Sequence, residues 1–204
     1  MYIQYLTAHH FKTTFYKKGE VIYEPGQHPK YAYFIKSGEV RMATVNQDGR
    51  EFIQGVFKSK QLFGEPALLL DRPYLAYTIA SRDTEVIQLD KPAFLKMIEE
   101  NSDFSMDLIM TMSKRLFYKS MMLEELANEQ AEHRLFTLIN YLSQDLEDGA
   151  ALNITRQTLA DMSGLRVETV IRTIKKLVAG GELKLIRGKI VKTGYDVDHK
   201  MDVL

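Results

Sequence analysis

Apolar and polar positions change their rhythm twice along this chain. From about residue 11 to 90 they fall into short β-rich runs, at 21–23, 31–35, 40–45, 51–57, 76–80 and 85–89, punctuated by Gly19, Gly26, Gly38, Gly49, Gly55 and Gly64. Short strands with turn residues every eight to twelve positions or so predict a β-sandwich or barrel, with a jelly roll (double-stranded β-helix) as the leading form. After Lys91-Pro92 the period lengthens, and Phe94, Leu95 and Ile98 predict a short helix. The segment from about 104 to 128 holds no Gly or Pro and predicts one long helix. Within it Ile109, Met112, Leu116, Leu123 and Leu126 recur at three- and four-residue steps, the seam of a coiled coil, with Lys119 at its one non-apolar position. Leu108, Phe117, Met121 and Met122 make the other side apolar too. Such a helix could simply pack on the β domain, but two apolar faces call for two partners: the β domain and a second copy of the chain. A further helix is predicted over 130–146, carried by Leu135, Phe136, Leu138, Ile139 and Leu142.

The segment 154–177 reads as two short helices around a tight turn. Thr155 is a plausible N-cap, Leu159 and Met162 form the apolar side of the first helix, and Ser163-Gly164 supplies the corner. Leu165, Val170, Ile174 and Leu177 then face the body of the domain, while Arg166, Glu168 and Arg172 project away from it. Two amphipathic helices with a glycine between them are common, so the match alone is weak. Its context strengthens it. Residues 180–192 read as two short strands around Arg187-Gly188, a β-wing following the second helix. From 155 to 194, nine lysines and arginines stand against three acids, a local charge of +6 in a chain whose 27 basic and 27 acidic residues cancel. A basic segment in a balanced protein is the footprint of phosphate binding.

The whole is therefore an α+β chain: a jelly roll over 1–100, a dimerisation helix over 101–129 and a winged helix-turn-helix over 130–204. The absence of cysteine excludes disulfides, cysteine-ligated zinc and cysteine-ligated iron–sulfur clusters, and fits a reducing cytoplasm. No apolar run approaches the roughly 20 residues that span a bilayer. The first residues lack the basic start and apolar core of a signal peptide, so no membrane role is expected.

This order of parts resembles the Crp/Fnr family of bacterial transcription regulators over almost the whole chain. The resemblance is carried by Ile154-Thr-Arg-Gln with Glu168-Thr-Val-Ile-Arg172, by Tyr33-Phe-Ile-Lys-Ser-Gly-Glu-Val40, and by Phe63-Gly-Glu65. It implies a non-enzymatic homodimer that binds a pseudo-palindromic site in double-stranded DNA and works with RNA polymerase. It also implies that Glu168 and Arg172 read base edges. The chemistry agrees: Arg donates two hydrogen bonds to guanine, and Glu accepts from cytosine N4. Val167 stands where the catabolite-activator branch has another Arg; in the Fnr branch a small polar residue precedes the last Arg, and here that residue is Ile171. A G·C step in each half-site follows. Thr155, Arg156, Arg166, Lys175, Lys176, Arg187 and Lys189 are the candidates for phosphate contacts, which position without specifying.

In the cyclic-AMP-binding branch, Gly-Glu opens a phosphate cassette that closes on Arg-Ser-Ala. Here Gly64-Glu65 is followed by Tyr74-Leu75-Ala76, so Tyr74 and Leu75 replace the phosphate-binding Arg and Ser. A cyclic phosphate needs a cation or dense donors, and this pair supplies little; Arg72 is offset and tethered by Pro73. Cyclic-nucleotide control is therefore not expected. Haem needs an axial ligand, and His9, His10, His28, His133 and His199 show no paired spacing. The strand runs supply no clustered His/Glu of the kind a metal-dependent cupin uses. The resemblance does put Lys119 and Ser120 where family members touch an effector. The candidate pocket is thus Gly64, Glu65, Arg72, Tyr74, Lys119 and Ser120, suited to a small anion; the alternative is a regulator governed by its own abundance. The competing class is a small-molecule-binding jelly-roll (cupin-like) protein with an incidental helical tail, and a third is a purely structural dimerisation module.

Overall fold

The computed structural model describes Leu6 and residues 11–47, 49, 51–127 and 130–192. His9, His10, His199 and the 128–129 end of the expected domain junction lie outside them. The chain divides into two compact units, 1–113 and 114–204, and the division falls inside the long helix.

The first unit is a roll of two four-stranded antiparallel sheets. One has the order β1 (Thr13–Tyr16), β8 (Thr84–Asp90), β3 (Tyr31–Ser37), β6 (Leu62–Phe63); the other has the order β2 (Val21–Tyr23), β7 (Tyr77–Ala80), β4 (Glu39–Val45), β5 (Glu51–Lys58). The six runs expected as strands are β2, β3, β4, β5, β7 and β8, within two residues at each end. Neighbours in sequence often lie in different sheets, which is the double winding of a jelly roll.

The alternation along β3 explains how two cores form from one strand. Ala32 and Phe34 point to one side, where they meet Leu62, Ile87 and Leu89 and the residues Phe94, Met97, Phe104 and Leu108 of the helices. Tyr33 and Ile35 point the other way, between the sheets, with Tyr23, Val40, Phe57, Phe63, Tyr74 and Val86. A strand buried on both faces loses its polar positions, and Tyr31–Ser37 is apolar for its first five residues. Gly38 makes the β3–β4 corner. Its φ is +99°, and a Cβ there would sit 2.4 Å from Thr84 Oγ1 and 2.5 Å from the Asp83 carbonyl, so no other residue fits.

Helix α1 (Glu65–Leu70) interrupts the roll, and α2 (Lys91–Glu100) closes it. The Asp90 carboxylate accepts a hydrogen bond from Ala93 N–H at 2.9 Å, capping α2, and Pro92 sits in the first turn where its missing N–H costs nothing. The long helix α3 (Ser102–Ala127) follows. Its buried face runs through Phe104, Leu108, Tyr118 and Met122, and its outward face exposes Met106, Ile109, Met110, Leu116, Phe117, Leu123 and Leu126. Met112, expected on the outward seam, is partly buried and packs against the helix-side core instead. The exposed 3–4 repeat consequently runs 106, 109, 113, 116, 120, 123, 127, with Ser113, Ser120 and Ala127 as its small members.

The second unit contains α4 (Ala131–Ser143), α5 (Arg156–Ser163), α6 (Val167–Ala179) and the hairpin β9 (Lys184–Ile186), β10 (Lys189–Val191). Leu135, Leu138, Ile139, Leu159, Val170, Ile174, Leu177 and Ile190 fill its centre. Tyr141 of α4 stacks on Tyr118 of α3, with ring centroids 3.7 Å apart and planes 12° from parallel. Beside them Lys114 Nζ lies 3.3 Å from Asp145 Oδ1.

Candidate nucleic-acid interface and sensor interior

Helix α5 begins as its sequence suggests: Thr155 Oγ1 accepts from Thr158 N–H at 3.0 Å. That hydroxyl, one of the expected phosphate contacts, is thereby engaged as a cap. At the other end Gly164 takes φ 69°, a left-handed residue that turns the chain into α6. Arg134 of α4 holds this corner from behind. Its guanidinium donates to the Ser163 carbonyl and to the Glu125 carbonyl near the end of α3, each at 3.4 Å. Thr137 Oγ1 adds a bond to Glu125 Oε1 at 2.9 Å. Sequence reasoning passed over Arg134, although a lone cation on the apolar side of α4, next to Leu135 and Leu138, is the signal that marks such a bracket.

Helix α6 divides cleanly by face. Val170, Thr173, Ile174 and Leu177 are buried; Glu168, Ile171, Arg172, Lys175 and Lys176 are exposed, and Val167 is half-buried at the first position. Glu168 and Arg172 stand one turn apart, and neither side chain is engaged by another described residue. Lys176 is drawn aside by Glu132 of α4, at 3.1 Å. Arg166 is the exposed residue that precedes α6.

The wing turns on Arg187 (φ 49°) and Gly188 (φ 76°), with Ile186 paired to Lys189 across it. Two successive positive φ values in a two-residue loop match the right-handed twist of the hairpin. Arg156 reaches over from α5, and its Nη2 donates to the Gly188 carbonyl at 3.0 Å. Partial burial lowers the Arg156 guanidinium from its ordinary value, and it remains charged. Arg156 thus fixes the wing relative to the helix-turn-helix. Arg187 and Lys189 are exposed at the wing tip.

In the roll, the expected effector residues lie in very different surroundings. Gly64 backs onto the Tyr33 ring, where a Cβ would come within 3.1 Å. Glu65 begins α1 and is fully buried. Arg72 is exposed. Tyr74 is buried, stacked on Tyr23 at 3.6 Å between centroids with planes 9° apart, and its hydroxyl donates to the Tyr31 carbonyl at 3.2 Å. Tyr33 stacks on Phe63, with ring centroids 5.0 Å apart. Burial raises the Tyr33 and Tyr74 phenols far above their ordinary value, so both are neutral donors. Leu75, at the second position of the substituted pair, is 85% exposed. Lys119 and Ser120 are exposed on α3, in the other unit. Among the described residues no group of His, Cys, Asp and Glu is placed to hold a metal ion, and no helix is long and apolar enough to cross a membrane.

Comparison with known proteins finds two domain types along the chain. Residues 13–101 match the cyclic nucleotide-binding domain, and residues 133–193 match the Crp-like helix-turn-helix domain. The chain is 28% identical over 186 residues to the cyclic AMP receptor protein of Thermus thermophilus, covering 91% of this chain and 85% of that one. It is 24% identical over 185 residues to the global nitrogen regulator of Synechocystis, covering 86% and 81%. Among solved structures, a CRP/FNR-family transcriptional regulator, also from Thermus thermophilus, superposes with a TM-score of 0.65 at 25% identity, covering 94% of this chain and 97% of that one. With both domain types in order, relatives along nearly the whole length and an outward charged recognition helix, the chain belongs to the Crp/Fnr family of DNA-binding transcription regulators.

Proposed function

We propose that this regulator binds a two-fold symmetric DNA site as a homodimer, in the cytoplasm and in concert with RNA polymerase, without cyclic-nucleotide control. The functional division follows the sequence: sensor roll over 1–100, dimerisation helix over 101–129, DNA-binding domain over 130–204. The observation that carries the DNA reading is the outward face of α6, where Glu168 and Arg172 are exposed, one turn apart and engaged by no other described residue. Charged groups left so on a helix that follows a capped helix and a glycine corner await a partner with matching edges. A major groove presents them: guanine O6 and N7 to Arg172, cytosine N4 to Glu168. Arg166, Lys175, Arg187 and Lys189 surround that face and supply phosphate contacts. A dimer doubles the reader, and the exposed apolar repeat of α3 is the surface that joins the two copies.

The second half of the proposal rests on Tyr74. Where the cyclic-AMP-binding branch places a cation, this chain buries a neutral phenol against Tyr23. A phosphate brought there would meet aromatic rings and no compensating charge. One relative is named a cyclic AMP receptor protein and another a global nitrogen regulator, so membership of the family alone does not transfer an effector.

Selection of random duplex DNA on the purified, ligand-free protein tests both halves. The expected result is a two-fold symmetric motif with a G·C step in each half-site, enriched equally with and without added cyclic AMP. The Glu168→Ala/Arg172→Ala variant should keep its melting temperature and lose about 100-fold or more in preference for that motif. Sequence-indifferent binding that cyclic AMP sharpens would overturn the effector half; unchanged selectivity in the variant would overturn the assignment of the readers.

A further inference from the structure

The outward face of α6 carries a second pair beside the charged one. Val167 and Ile171 are one turn apart, as are Glu168 and Arg172, so the first two turns set an aliphatic pair alongside a charged pair. Ile171 is 41% exposed and is the one large apolar side chain that α6 exposes; the core of the helix is completed by Val170, Ile174 and Leu177, each almost fully buried. Packing within the unit therefore does not account for an isoleucine at this position. Its setting, among Glu168, Arg172 and Lys175, is the exposed face that the reading above turns toward DNA.

A major groove offers one apolar group amid its donors and acceptors, the 5-methyl of thymine. We propose that Ile171, flanked by Val167, reads a thymine methyl in the base step adjoining the pair contacted by Glu168 and Arg172. Two properties favour this side chain for the task. A β-branched residue on a helix has essentially one χ1 rotamer, so its methyl groups are already placed and little freedom is lost on contact. It also offers no hydrogen bond, so it would cover the polar groove edge of cytosine, adenine or guanine and leave it unsatisfied. The pair thus adds a preference for thymine at a fixed distance from the G·C step. This inference rests on the DNA-binding reading above.

Deoxyuridine separates the two. It pairs as thymine does and lacks only the methyl. In the full-length protein bound to its selected duplex, each thymine of a half-site is replaced in turn and the affinity measured for wild type, Ile171→Ala and Ile171→Val. One thymine per half-site should weaken wild-type binding about fourfold when demethylated. At that thymine Ile171→Ala should respond less than about twofold, while Ile171→Val, which keeps a branched side chain, should respond like wild type. Alanine at an exposed helical position keeps the helix intact, and an unchanged melting temperature verifies it. If no methyl matters, or the same methyl matters equally to wild type and Ile171→Ala, the assignment of Ile171 is overturned while the DNA reading stands. If no two-fold motif is selected at all, it is the DNA reading that falls, and this inference falls with it.

Discussion

Helices α3 and α6 are built alike on the inside and oppositely on the outside. Each buries one apolar face. Outward, α3 shows Ile109, Leu116, Phe117 and Leu123, whereas α6 shows Glu168, Arg172, Lys175 and Lys176 around the single Ile171. Apolar area held in water is stabilised by any surface that covers it, with little regard for detail. Charged groups on a short helix gain little from desolvation unless each meets its complement in the right geometry. The long helix is therefore suited to lasting association with its own copy, and the short one to a reversible partner chosen by pattern.

That contrast can be broken at either end. The largest effect is expected for Leu116→Glu with Leu123→Glu. Both side chains are about 70% exposed, so the fold should survive, while the association of protomers should weaken by about 4 kcal/mol or more in sedimentation equilibrium. An unchanged dissociation constant would remove α3 from the interface. Next is the inner face of α6, where Leu177→Ala should lower the stability of the DNA-binding unit by about 3 kcal/mol in denaturant titration. A loss below about 1 kcal/mol would mean that the face is not the core it resembles. On the outer face of the same helix, Lys175→Ala should leave the melting temperature unchanged. It should weaken all DNA sequences alike and lower the salt-dependence slope by about one unit per protomer. A change of sequence preference would instead make Lys175 a base reader.

The parts that pattern made legible are those in which burial is strong and repeated. The runs 31–35 and 85–89 lie in the two central strands of their sheet, and at the corner Ser163-Gly164 the glycine takes the left-handed φ that favours it. The two strands that escaped, Thr13–Tyr16 and Leu62–Phe63, are the two edges of that same sheet. An edge strand has one neighbour and a half-exposed side: Thr13–Tyr16 buries none of its residues fully, and two residues are too few to show a period. Met112 was misplaced for a different reason. The stripe through Met112 and Lys119 and the stripe through Ser113 and Ser120 share the same seven-residue step and differ by one position, so spacing alone does not choose between them. Small polar residues inside an apolar stripe are read as gaps, although they leave room for a close approach of two helices. At the interface, residue types pointed to cations, but type alone does not distinguish Arg156, tied to the Gly188 carbonyl, from Arg187 at the open tip. Tyr74 was legible only as a missing arginine; its stacking on Tyr23 depends on a partner 51 positions away in the sequence.

The ring stack of Tyr23 and Tyr74 also bears on time. A regulator that waits for a diffusing effector can change its output as fast as that molecule appears and is withdrawn. When the interior is already occupied by the protein's own side chains, on the function proposed above, the output follows the number of molecules present. It rises with synthesis and falls only by degradation or by dilution as cells divide. Such a regulator smooths brief fluctuations and commits a cell for about a generation.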